Sequence, residues 1–424
     1  MSHFGFLCPP FAGHLNPMQA LAGALAARGH AVTFLGLPGV GGLLTDSRFA
    51  FAAYEPGPGV PDLPSLTRHM TQPRGLGLLR ILRDGAAMAD LVCRQAPALI
   101  RARNIDALVV DQLEPAGGIV AAGMGLPFVS VANALLVNRE DGVPPPFVGW
   151  SYDPSEHGLW RNRGAYRVSD RLMSGLGRVL ARHAAAFGRP EQVPTLESCL
   201  SPLAQITQTV PGFDFPRNAL PSIVHHCGPL RKPEEAGDLS FSRDDRRPMV
   251  FASLGTLQGG RLDVFRVIAQ VCHALDLKLV IAHGGRLSEK QIAQLPGQPI
   301  VRSFVPQRAL LRHATLAITN GGLNTVLDAL ARNVPVIAIP IAFEQAAIAA
   351  RLAFHGAGVA LPLRKLSVAT LQRAVTGILQ DASFGTNAVA IGTEIALAGG
   401  AERAAAIIEA ATLKRSASRA GAVA

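Results

Sequence analysis

Apolar runs and amphipathic segments alternate along the chain in the order strand, helix, strand. The first unit joins the strand HFGFLCPP to the strand AVTFLGL through a helix whose apolar face carries Met18, Leu21, Ala22 and Leu25. We expect Asn16 to cap this helix, Pro17 to be its first residue and Gly29 to end it. A second unit, from DALVVDQ to LPFVSVA, has the same form. Both units predict parallel strands covered by helices.

The same pattern starts again after residues 226–248, which are rich in Pro, Gly and charge and have no apolar period. This segment therefore predicts an interdomain linker. Beyond it, the strands MVFASLGT, LKLVIAH, IVRSF, TLAIT and VPVIAIP alternate with helices, among them helices near 323–332 and 344–355 and one that carries Leu262, Phe265, Ala269 and Cys272 on one face. The alternation predicts a second doubly wound sheet.

The predicted fold is thus α/β, with two Rossmann-like doubly wound parallel-sheet domains that face each other across a cleft. The expected divisions are an N-terminal domain over 1–225, the linker over 226–248, a C-terminal domain over 249–395 and a C-terminal helix with a frayed tail over 396–424. Ligands of such folds bind where the carboxyl ends of the strands meet the cleft.

The chain has 424 residues and a net charge of +10, a balance that makes nucleic acid and anionic membranes the partners to consider first. Its aromatic content is only 5%, and its arginines are scattered without a basic groove or a nucleic-acid motif. This composition argues against a nucleic-acid partner. The five cysteines form no CxxC pair, which argues against a disulfide framework or zinc site and favours a reducing, cytoplasmic location.

Two segments bear on membrane insertion. The N-terminus lacks the basic region and long apolar core of a signal peptide and is predicted to be the first strand. The uncharged stretch from Pro115 to Asn138 has the length of a membrane span, but several glycines and Pro127 interrupt it. We interpret it as a helix, a turn and a strand.

Two side chains of the first domain have the chemistry of a general base and its partner. His14 follows the first strand and, with Asn16 as the cap, would lie just before a helix, whose positive end disfavours the imidazolium form. Asp111 ends the apolar strand ALVV at the same sheet edge, where a carboxylate needs a partner. The alternative for His14 is a histidine that only fills a turn.

Two glycine-containing turns of the second domain are candidate anion sites. TLAIT runs into Asn320, Gly321 and Gly322 before a helix, and Ser253 to Thr256 follow the first strand of that domain. Backbone N–H groups at such turns bind diphosphate, although glycines also serve simple tight turns. The sequence has neither a GxGxxG dinucleotide motif nor a P-loop.

These residues carry a resemblance to the nucleotide-sugar glycosyltransferases of family 1, which have the GT-B fold. That family's donor signature has the form Trp-Ala-Pro-Gln, then His, then Thr-His-x-Gly-x-Asn-Ser, then Glu, then Pro and Asp-Gln. The corresponding residues here are Phe304, Val305, Pro306, Gln307, His313, Thr319, Asn320, Gly321, Gly322, Leu323, Asn324, Thr325, Asp328, Pro340, Glu344 and Gln345. PPFAGHLNPM and VVDQ resemble the family's base and partner motifs.

The resemblance implies an enzyme with a UDP-glucose co-substrate and no metal or other cofactor. Phe304 would stack on uracil, Val305 would contact its edge, and Gln307 and Asp328 would meet the ribose. The diphosphate would be held by Thr256, Gly322, Asn324 and Thr325, with Asn320 and Gly321 in the same turn. Glu344 and Gln345 would bind glucose hydroxyls. His14 would deprotonate an acceptor hydroxyl with Asp111 behind it, and the sugar would be transferred with inversion to a β-glucoside.

Asn320 departs from the signature, because the family has a histidine there. Its amide can donate a hydrogen bond and cap the helix, but it brings no positive charge to the leaving diphosphate. Arg286, after the strand LVIAH, is one source of that charge, and a solvated loop arginine is the alternative. His225 and His226 are interpreted as the end of a strand at the linker rather than as a metal site.

The acceptor half resembles the bacterial zeaxanthin glucosyltransferases of this family, in ANALLVNREDGVPPPF, SPLAQITQTVPGFDFPRNALPS and GPLR. This implies a carotenoid acceptor, zeaxanthin, bound by the N-terminal domain. The alternatives are a family-1 transferase acting on a macrolide, a sterol or another lipid, and an inactive carotenoid or lipid carrier.

A carotenoid is met at a membrane surface. Residues 161–189 hold seven arginines, of which Arg167, Arg171, Arg178 and Arg182 would share one ridge of a helix, beside a stripe of Val168, Leu172, Leu176, Val179, His183 and Phe187. This segment would either rest on anionic lipid at the inner face of the cell membrane or pack on its own domain as an ordinary helix.

Overall fold

The computed structural model describes residues 1–71, 73, 75–190, 195–234 and 247–420, with side chains described as far as Thr412. Two parallel sheets organise the chain. The sheet of the N-terminal lobe has the order β3-β2-β1-β4-β5-β6-β7. Its strands are β1 (His3–Leu7), β2 (Ala31–Gly36), β3 (Phe49–Ala53), β4 (Ala107–Asp111), β5 (Phe128–Ala132), β6 (Gln205–Thr207) and β7 (Val224–His226).

Helices cover both faces of this first sheet. They are α1 (Ala12–Ala27), α2 (Leu63–Met70), α3 (Leu76–Ala102), α4 (Pro115–Met124), α5 (Glu156–Leu172) and α6 (Ser174–Ala186), with short 3-10 turns at Gly41–Leu43, Glu197–Cys199 and Pro211–Phe213. Strands β1, β4 and β5 are almost wholly buried, as expected of parallel strands with helices on both sides.

The sheet of the C-terminal lobe has the order β10-β9-β8-β11-β12-β13. Its strands are β8 (Met249–Ser253), β9 (Lys278–Ala282), β10 (Ile300–Arg302), β11 (Leu316–Thr319), β12 (Val336–Ala338) and β13 (Gly358–Ala360). The helices are α7 (Gly255–Gln258), α8 (Leu262–Ala274), α9 (Glu289–Ile292), α10 (Gln307–Leu311), α11 (Leu323–Leu330), α12 (Gln345–Phe354), α13 (Val368–Gln380), α14 (Ser383–Leu397) and α15 (Gly400–Ala420), with a 3-10 turn at Leu363–Lys365. The predicted pair of doubly wound sheets is confirmed.

The end of the chain returns to the first lobe. The helical segment predicted around residue 396 is two helices, because Gly399 and Gly400 both have positive φ and break it. Ala404, Ala405 and Ile408 of α15 then join the apolar core of the N-terminal lobe. α15 runs to Ala420, so the helix includes most of residues 414–424, which were expected to form the frayed tail.

The interdomain linker predicted over 226–248 lies partly outside the described residues, since 235–246 are not described. His225 and His226 end β7, as predicted. All five cysteines are free thiols. Within the described part of the chain, no helix is long and apolar enough to cross a membrane.

Helix α1 begins five residues earlier than the sequence predicted. Its N-cap is Phe11, whose carbonyl accepts hydrogen bonds from the N–H groups of His14 and Leu15. Asn16 and Pro17 therefore lie inside the helix rather than at its start. Gly29 ends the helix as predicted, with a φ of 86°.

Residues 161–189 form two helices rather than one, with a turn at Met173 between α5 and α6. Glycines near the start of α6 weaken a continuous helix. The apolar side chains of α6 pack on the N-terminal core, and Arg182 and His183 bond Asp90 at 2.5 and 2.8 Å. The predicted continuous ridge and stripe are therefore wrong. Of the apolar residues in that stripe, Val168 and Leu172 on α5 are exposed, and those on α6 are at least partly buried.

Candidate active site

His14 and Asp111 meet at the carboxyl edge of the first sheet. His14 lies in the first turn of α1, just after β1, and Asp111 is the last residue of the neighbouring strand β4. The His14 Nδ1 lies 2.7 Å from the Asp111 Oδ2. Because an ionised carboxylate only accepts hydrogen bonds, Nδ1 carries the proton, and Nε2 is left with a free lone pair. This is the geometry of a general base and its orienting carboxylate.

The pKa of His14 is shifted in the opposite direction to the one expected from the positive end of the helix, which would disfavour the imidazolium form. Burial of the imidazole acts to lower its pKa, but the charge and hydrogen bond of Asp111 and the charge of Glu344 outweigh this, so the pKa of His14 is raised. Glu344 belongs to the C-terminal lobe, directly before α12. Its effect on His14 shows that the two lobes bring these side chains within electrostatic reach of each other.

Asp111 has partners that the sequence analysis missed. Its Oδ2 also accepts from the Asn133 Nδ2 at 2.7 Å, and its Oδ1 accepts from the Leu113 backbone N–H at 2.8 Å. Asn133 directly follows β5, so its place at a strand end was the available signal. Nearby, burial and the charge of Asp111 raise the pKa of Glu114 to about 8.

The turn after β11 presents free backbone N–H groups to the cleft. Gly322 is the N-cap of α11, and the first three N–H groups of this helix, from Leu323, Asn324 and Thr325, have no acceptor within it. The Asn320 Oδ1 accepts from the Gly322 N–H at 3.2 Å and from the Thr319 hydroxyl at 3.3 Å. Asn320 therefore does not cap the helix as predicted. A Cβ on Gly255 would lie 3.4 Å from the Asn320 Nδ2, which thus faces the turn before Thr256.

Gln307 and Asp328, assigned to the ribose by resemblance, are bonded to each other. The Gln307 Nε2 donates to the Asp328 Oδ2 at 2.8 Å, and the Thr325 hydroxyl lies 3.5 Å from the Gln307 Oε1. The Asp328 Oδ1 accepts from the Nε of Arg231 at 2.7 Å. Arg231 lies at the start of the predicted linker, and the sequence analysis gave it no role.

The remaining donor positions differ in exposure. The side chain of Phe304 is 73% exposed, which leaves a ring face free for stacking, and Val305 packs against the C-terminal core. The Gln345 Oε1 accepts from the backbone N–H groups of Ile341 and Ala342, both at 2.9 Å, so only its Nε2 can bind a sugar hydroxyl. Gly321 has a φ of 81°, and a Cβ there would lie 3.0 Å from the Gln345 carbonyl oxygen, so this position requires glycine.

Arg286 is bonded to the turn that carries Thr256 instead of being a purely solvated loop residue. Its Nε donates to the Thr256 carbonyl oxygen at 3.3 Å, while the side chain remains exposed. Its two terminal nitrogens are the part of the guanidinium left for an anion.

Asn324 joins the two lobes. Its Nδ2 donates at 2.9 Å to the carbonyl oxygen of Gly13, the residue before His14. The loop predicted to hold the donor thus contacts the helix turn that carries the imidazole. The structure thus places one predicted donor residue, Asn324, against the residue before the predicted base, His14.

Comparisons with known proteins show the family to which the chain belongs. Residues 93–394 match the family described as UDP-glucoronosyl and UDP-glucosyl transferase. The zeaxanthin glucosyltransferase of Pseudescherichia vulneris is 41% identical over 412 residues, which covers 96% of this chain and 98% of that protein. The enzyme of the same name from Pantoea ananas is 39% identical over 416 residues, 96% of either chain.

Solved structures share the fold. The calicheamicin glycosyltransferase superposes with a TM-score of 0.76 at 23% identity, covering 98% of this chain and 99% of that one. The glycotransferase of kitacinnamycin gives a TM-score of 0.74 at 21% identity, covering 97% and 99%. The GT-B fold expected from the sequence is confirmed.

Proposed function

Because the chain belongs to the UDP-glucoronosyl and UDP-glucosyl transferase family and is a hexosyltransferase, we propose that it transfers glucose from UDP-glucose to the ring hydroxyls of zeaxanthin. The observation that carries the chemical part of the proposal is the His14–Asp111 contact of 2.7 Å, with Nε2 left free beside the donor-binding lobe. The identity of 39% to 41% with two zeaxanthin glucosyltransferases over almost the whole chain supports the acceptor.

The proposed step is a single in-line displacement. The acceptor oxygen forms a bond to the glucose C1 as its proton passes to the His14 Nε2. The bond from C1 to the diphosphate oxygen breaks on the opposite face, and its electron pair leaves with UDP. The configuration at C1 inverts, which gives a β-glucoside. Asp111 holds the imidazole in the required tautomer and stabilises the imidazolium that forms.

The leaving diphosphate needs positive charge or hydrogen-bond donors. The first-turn N–H groups of α11 supply donors, and Arg286, anchored on Thr256, supplies a guanidinium in place of the missing histidine charge. Phe304 stacks on uracil, and Glu344 and Gln345 select glucose through hydroxyl contacts. In this proposal the protein's own groups stabilise the leaving group without a metal ion.

A membrane surface is the proposed meeting place with the acceptor, because zeaxanthin is long and apolar. Helix α5 offers Trp160, Val168 and Leu172, whose side chains are 71%, 62% and 47% exposed. Arg167 and Arg171 lie beside them, exposed and without an ion pair to any residue that the structure describes. An apolar strip flanked by unpaired arginines fits an anionic bilayer. We call these five residues the α5 surface.

Binding to vesicles tests this surface. Val168→Ser with Leu172→Ser should lower binding to anionic vesicles at least tenfold, since full burial of even one such side chain contributes about 1.5–3 kcal/mol and about 1.4 kcal/mol is a factor of ten. Val389→Ser with Leu397→Ser is the matched control, because these exposed side chains of α14 lie on the other lobe. The proposal would be contradicted if both double variants bound anionic vesicles equally well. It would also be contradicted if the wild-type protein bound neutral vesicles as well as anionic ones.

The proposed reaction is tested with the full chain, UDP-glucose and zeaxanthin in anionic liposomes, followed by product chromatography and measurement of the anomeric configuration. We expect zeaxanthin β-glucosides and an equal amount of UDP. A macrolide or sterol glucoside formed faster than a carotenoid glucoside would favour the first alternative. Carotenoid binding without UDP release would favour a carrier, and an α-glucoside would overturn the inverting step.

A further inference from the structure

Arg231 occupies a junction between the lobes and uses almost all its hydrogen-bond donors there. Its Nε donates to the Asp328 Oδ1 at 2.7 Å, and its Nη2 donates to the Asn324 carbonyl oxygen at 3.2 Å. Its Nη1 donates to the Gln208 Oε1 at 2.7 Å and to the Leu230 carbonyl oxygen at 3.0 Å. The side chain is only 16% exposed. One guanidinium thus bonds the donor-binding lobe and the N-terminal lobe together.

A first path leads from Arg231 to the imidazole through two amides. The Gln208 Nε2 donates to the Asn133 Oδ1 at 3.1 Å, and the Asn133 Nδ2 donates to the Asp111 Oδ2 at 2.7 Å. Arginine can only donate and an ionised carboxylate can only accept, so the orientation of both amides is fixed. The chain of donors therefore ends on the same oxygen that holds the His14 Nδ1.

A second path reaches His14 from the other side. Pro17 lies inside α1 and has no N–H, so the carbonyl of Gly13, four residues earlier, lacks its usual helical donor. That carbonyl accepts from the Asn324 Nδ2 instead, and Arg231 in turn holds the Asn324 carbonyl. Together the two paths form a closed ring of contacts through both lobes. The first path links Arg231 to His14 through Gln208, Asn133 and Asp111, and the second links them through Asn324 and Gly13.

From this ring we infer that Arg231 is a positioning residue that holds the imidazole of His14 in register with the donor-binding loop. The inference deepens the proposed function and rests on it for the role of His14. Arg231 touches no reacting atom in this assignment. It acts through the Asp111 partner on one side and through the Gly13 carbonyl on the other.

The substitution Arg231→Lys tests the inference while keeping the charge beside Asp328. A lysine ammonium cannot reproduce the forked contacts to Gln208, Asn324 and Asp328 together. We expect kcat to fall about tenfold, while the KM for UDP-glucose changes less than about threefold, because a misplaced base affects the transition state more than donor binding. If kcat/KM falls by the same factor because KM rises while kcat stays unchanged, the positioning role is overturned.

Arg332→Lys is the matched control. Arg332 also lines the interlobe cavity of about 930 Å³ in which Arg231 lies, and it bonds Glu234 of the linker segment at 2.5 Å, outside the ring. The thermal unfolding of both variants shows whether either fold is disturbed. An equal fall in kcat for both lysine variants would assign the effect to general packing.

The titration of His14 separates this inference from the proposed function, since it needs no substrate. The charged groups that act on the ring are Asp111 and Glu344. In ¹⁵N-histidine spectra, with His14 assigned from His14→Gln, Arg231→Lys should shift the titration midpoint by about half a pH unit, about threefold in proton affinity, because a disturbed Asn133 contact changes the charge that Asp111 presents to the ring. Arg332→Lys should leave it unchanged. An unmoved midpoint in Arg231→Lys would refute the first path whether or not zeaxanthin is the acceptor.

Pro17→Ala tests the second path alone. The restored N–H can bond the Gly13 carbonyl within the helix and compete with Asn324. We expect a fall in kcat of a few fold, on the order of one hydrogen bond, with the His14 titration unchanged. Pro97→Ala, which restores an N–H inside α3, is the control. If the two alanine variants behave alike, the second path contributes nothing.

Discussion

The two sides of the cleft differ in how far their polar groups are satisfied. On the N-terminal side, Asp111 is fully buried and both its oxygens accept hydrogen bonds, which leaves the His14 Nε2 as the free group of the pair. On the C-terminal side, the first turn of α11 has free N–H groups, and Phe304 and Thr256 are exposed.

This contrast separates two tasks. A base must be held in one tautomer before the reaction, and buried hydrogen bonds hold it without help from a ligand. A donor site gains its affinity from groups that the ligand itself completes, so free donors and an exposed ring are suited to it. We therefore expect substitutions on the first side to act on turnover and those on the second side to act on donor affinity.

The largest expected effect is that of His14→Ala. Loss of a general base lowers kcat by about 10² to 10⁴. Binding of UDP-glucose, measured by calorimetry, should be nearly unchanged, because the proposed donor contacts lie in the other lobe. Unchanged turnover would mean that another group accepts the proton.

Asp111→Asn should lower kcat by about 10² or more, because the amide does not enforce the required tautomer. It also removes the charge that raises the pKa of His14, while burial still acts to lower it. In the wild type, kcat/KM should rise with pH as His14 loses its proton, at a midpoint above the ordinary histidine value. In the variant this limb should move to lower pH; a limb that stays in place would exclude Asp111 as the cause.

Arg286→Ala acts on the open side of the cleft. Removal of a proposed charged donor to the diphosphate should raise the KM for UDP-glucose about tenfold and also lower kcat, because negative charge on the diphosphate grows as its bond to C1 breaks. Arg373→Ala, an exposed arginine on α13, is the control and should change neither constant. If both constants stay unchanged, Arg286 has no role at the diphosphate, and the leaving group depends on the N–H groups of α11 alone.

Asn320→His is expected to have the smallest effect. A histidine restores the residue of the family signature, so donor affinity measured by calorimetry should be preserved or improve by a few fold at most. Loss of the Asn320 contact to the Gly322 N–H works against this gain. A large loss of affinity would show that the amide contact, rather than a charge, shapes the turn.

Several elements followed from local pattern. The apolar strands and the helices α8, α11 and α12 lie where their periodicity predicted, because a buried parallel strand and an amphipathic helix each leave a direct pattern in the sequence. The start of α1 did not follow. Asn16 and Pro17 are strong helix-start signals, but Phe11 begins the helix, and Pro17 is tolerated because the Gly13 carbonyl finds Asn324.

The helix predicted over 161–189 failed for a related reason. The apolar residues have the predicted helical spacing, but the chain turns at Met173. The apolar side chains of α6 therefore pack on the core, whereas Val168 and Leu172 of α5 are exposed. Hydrophobic spacing identifies a face, whereas the packing partner of that face is set by neighbouring helices. Asp90, the partner of Arg182 and His183, is about 90 residues away in the chain.

The sequence by itself determined the two doubly wound sheets, the family and the residue types at the cleft, since strand ends and glycine turns are local features. Only the tertiary structure decided three contacts: Asn133 donates a hydrogen bond to Asp111, Arg231 donates one to Asp328, and Asn324 donates one to the Gly13 carbonyl. These contacts join residues separated by about 20 to more than 300 positions. Local sequence carries no record of such pairs, because they form only when both lobes have folded and their loops meet.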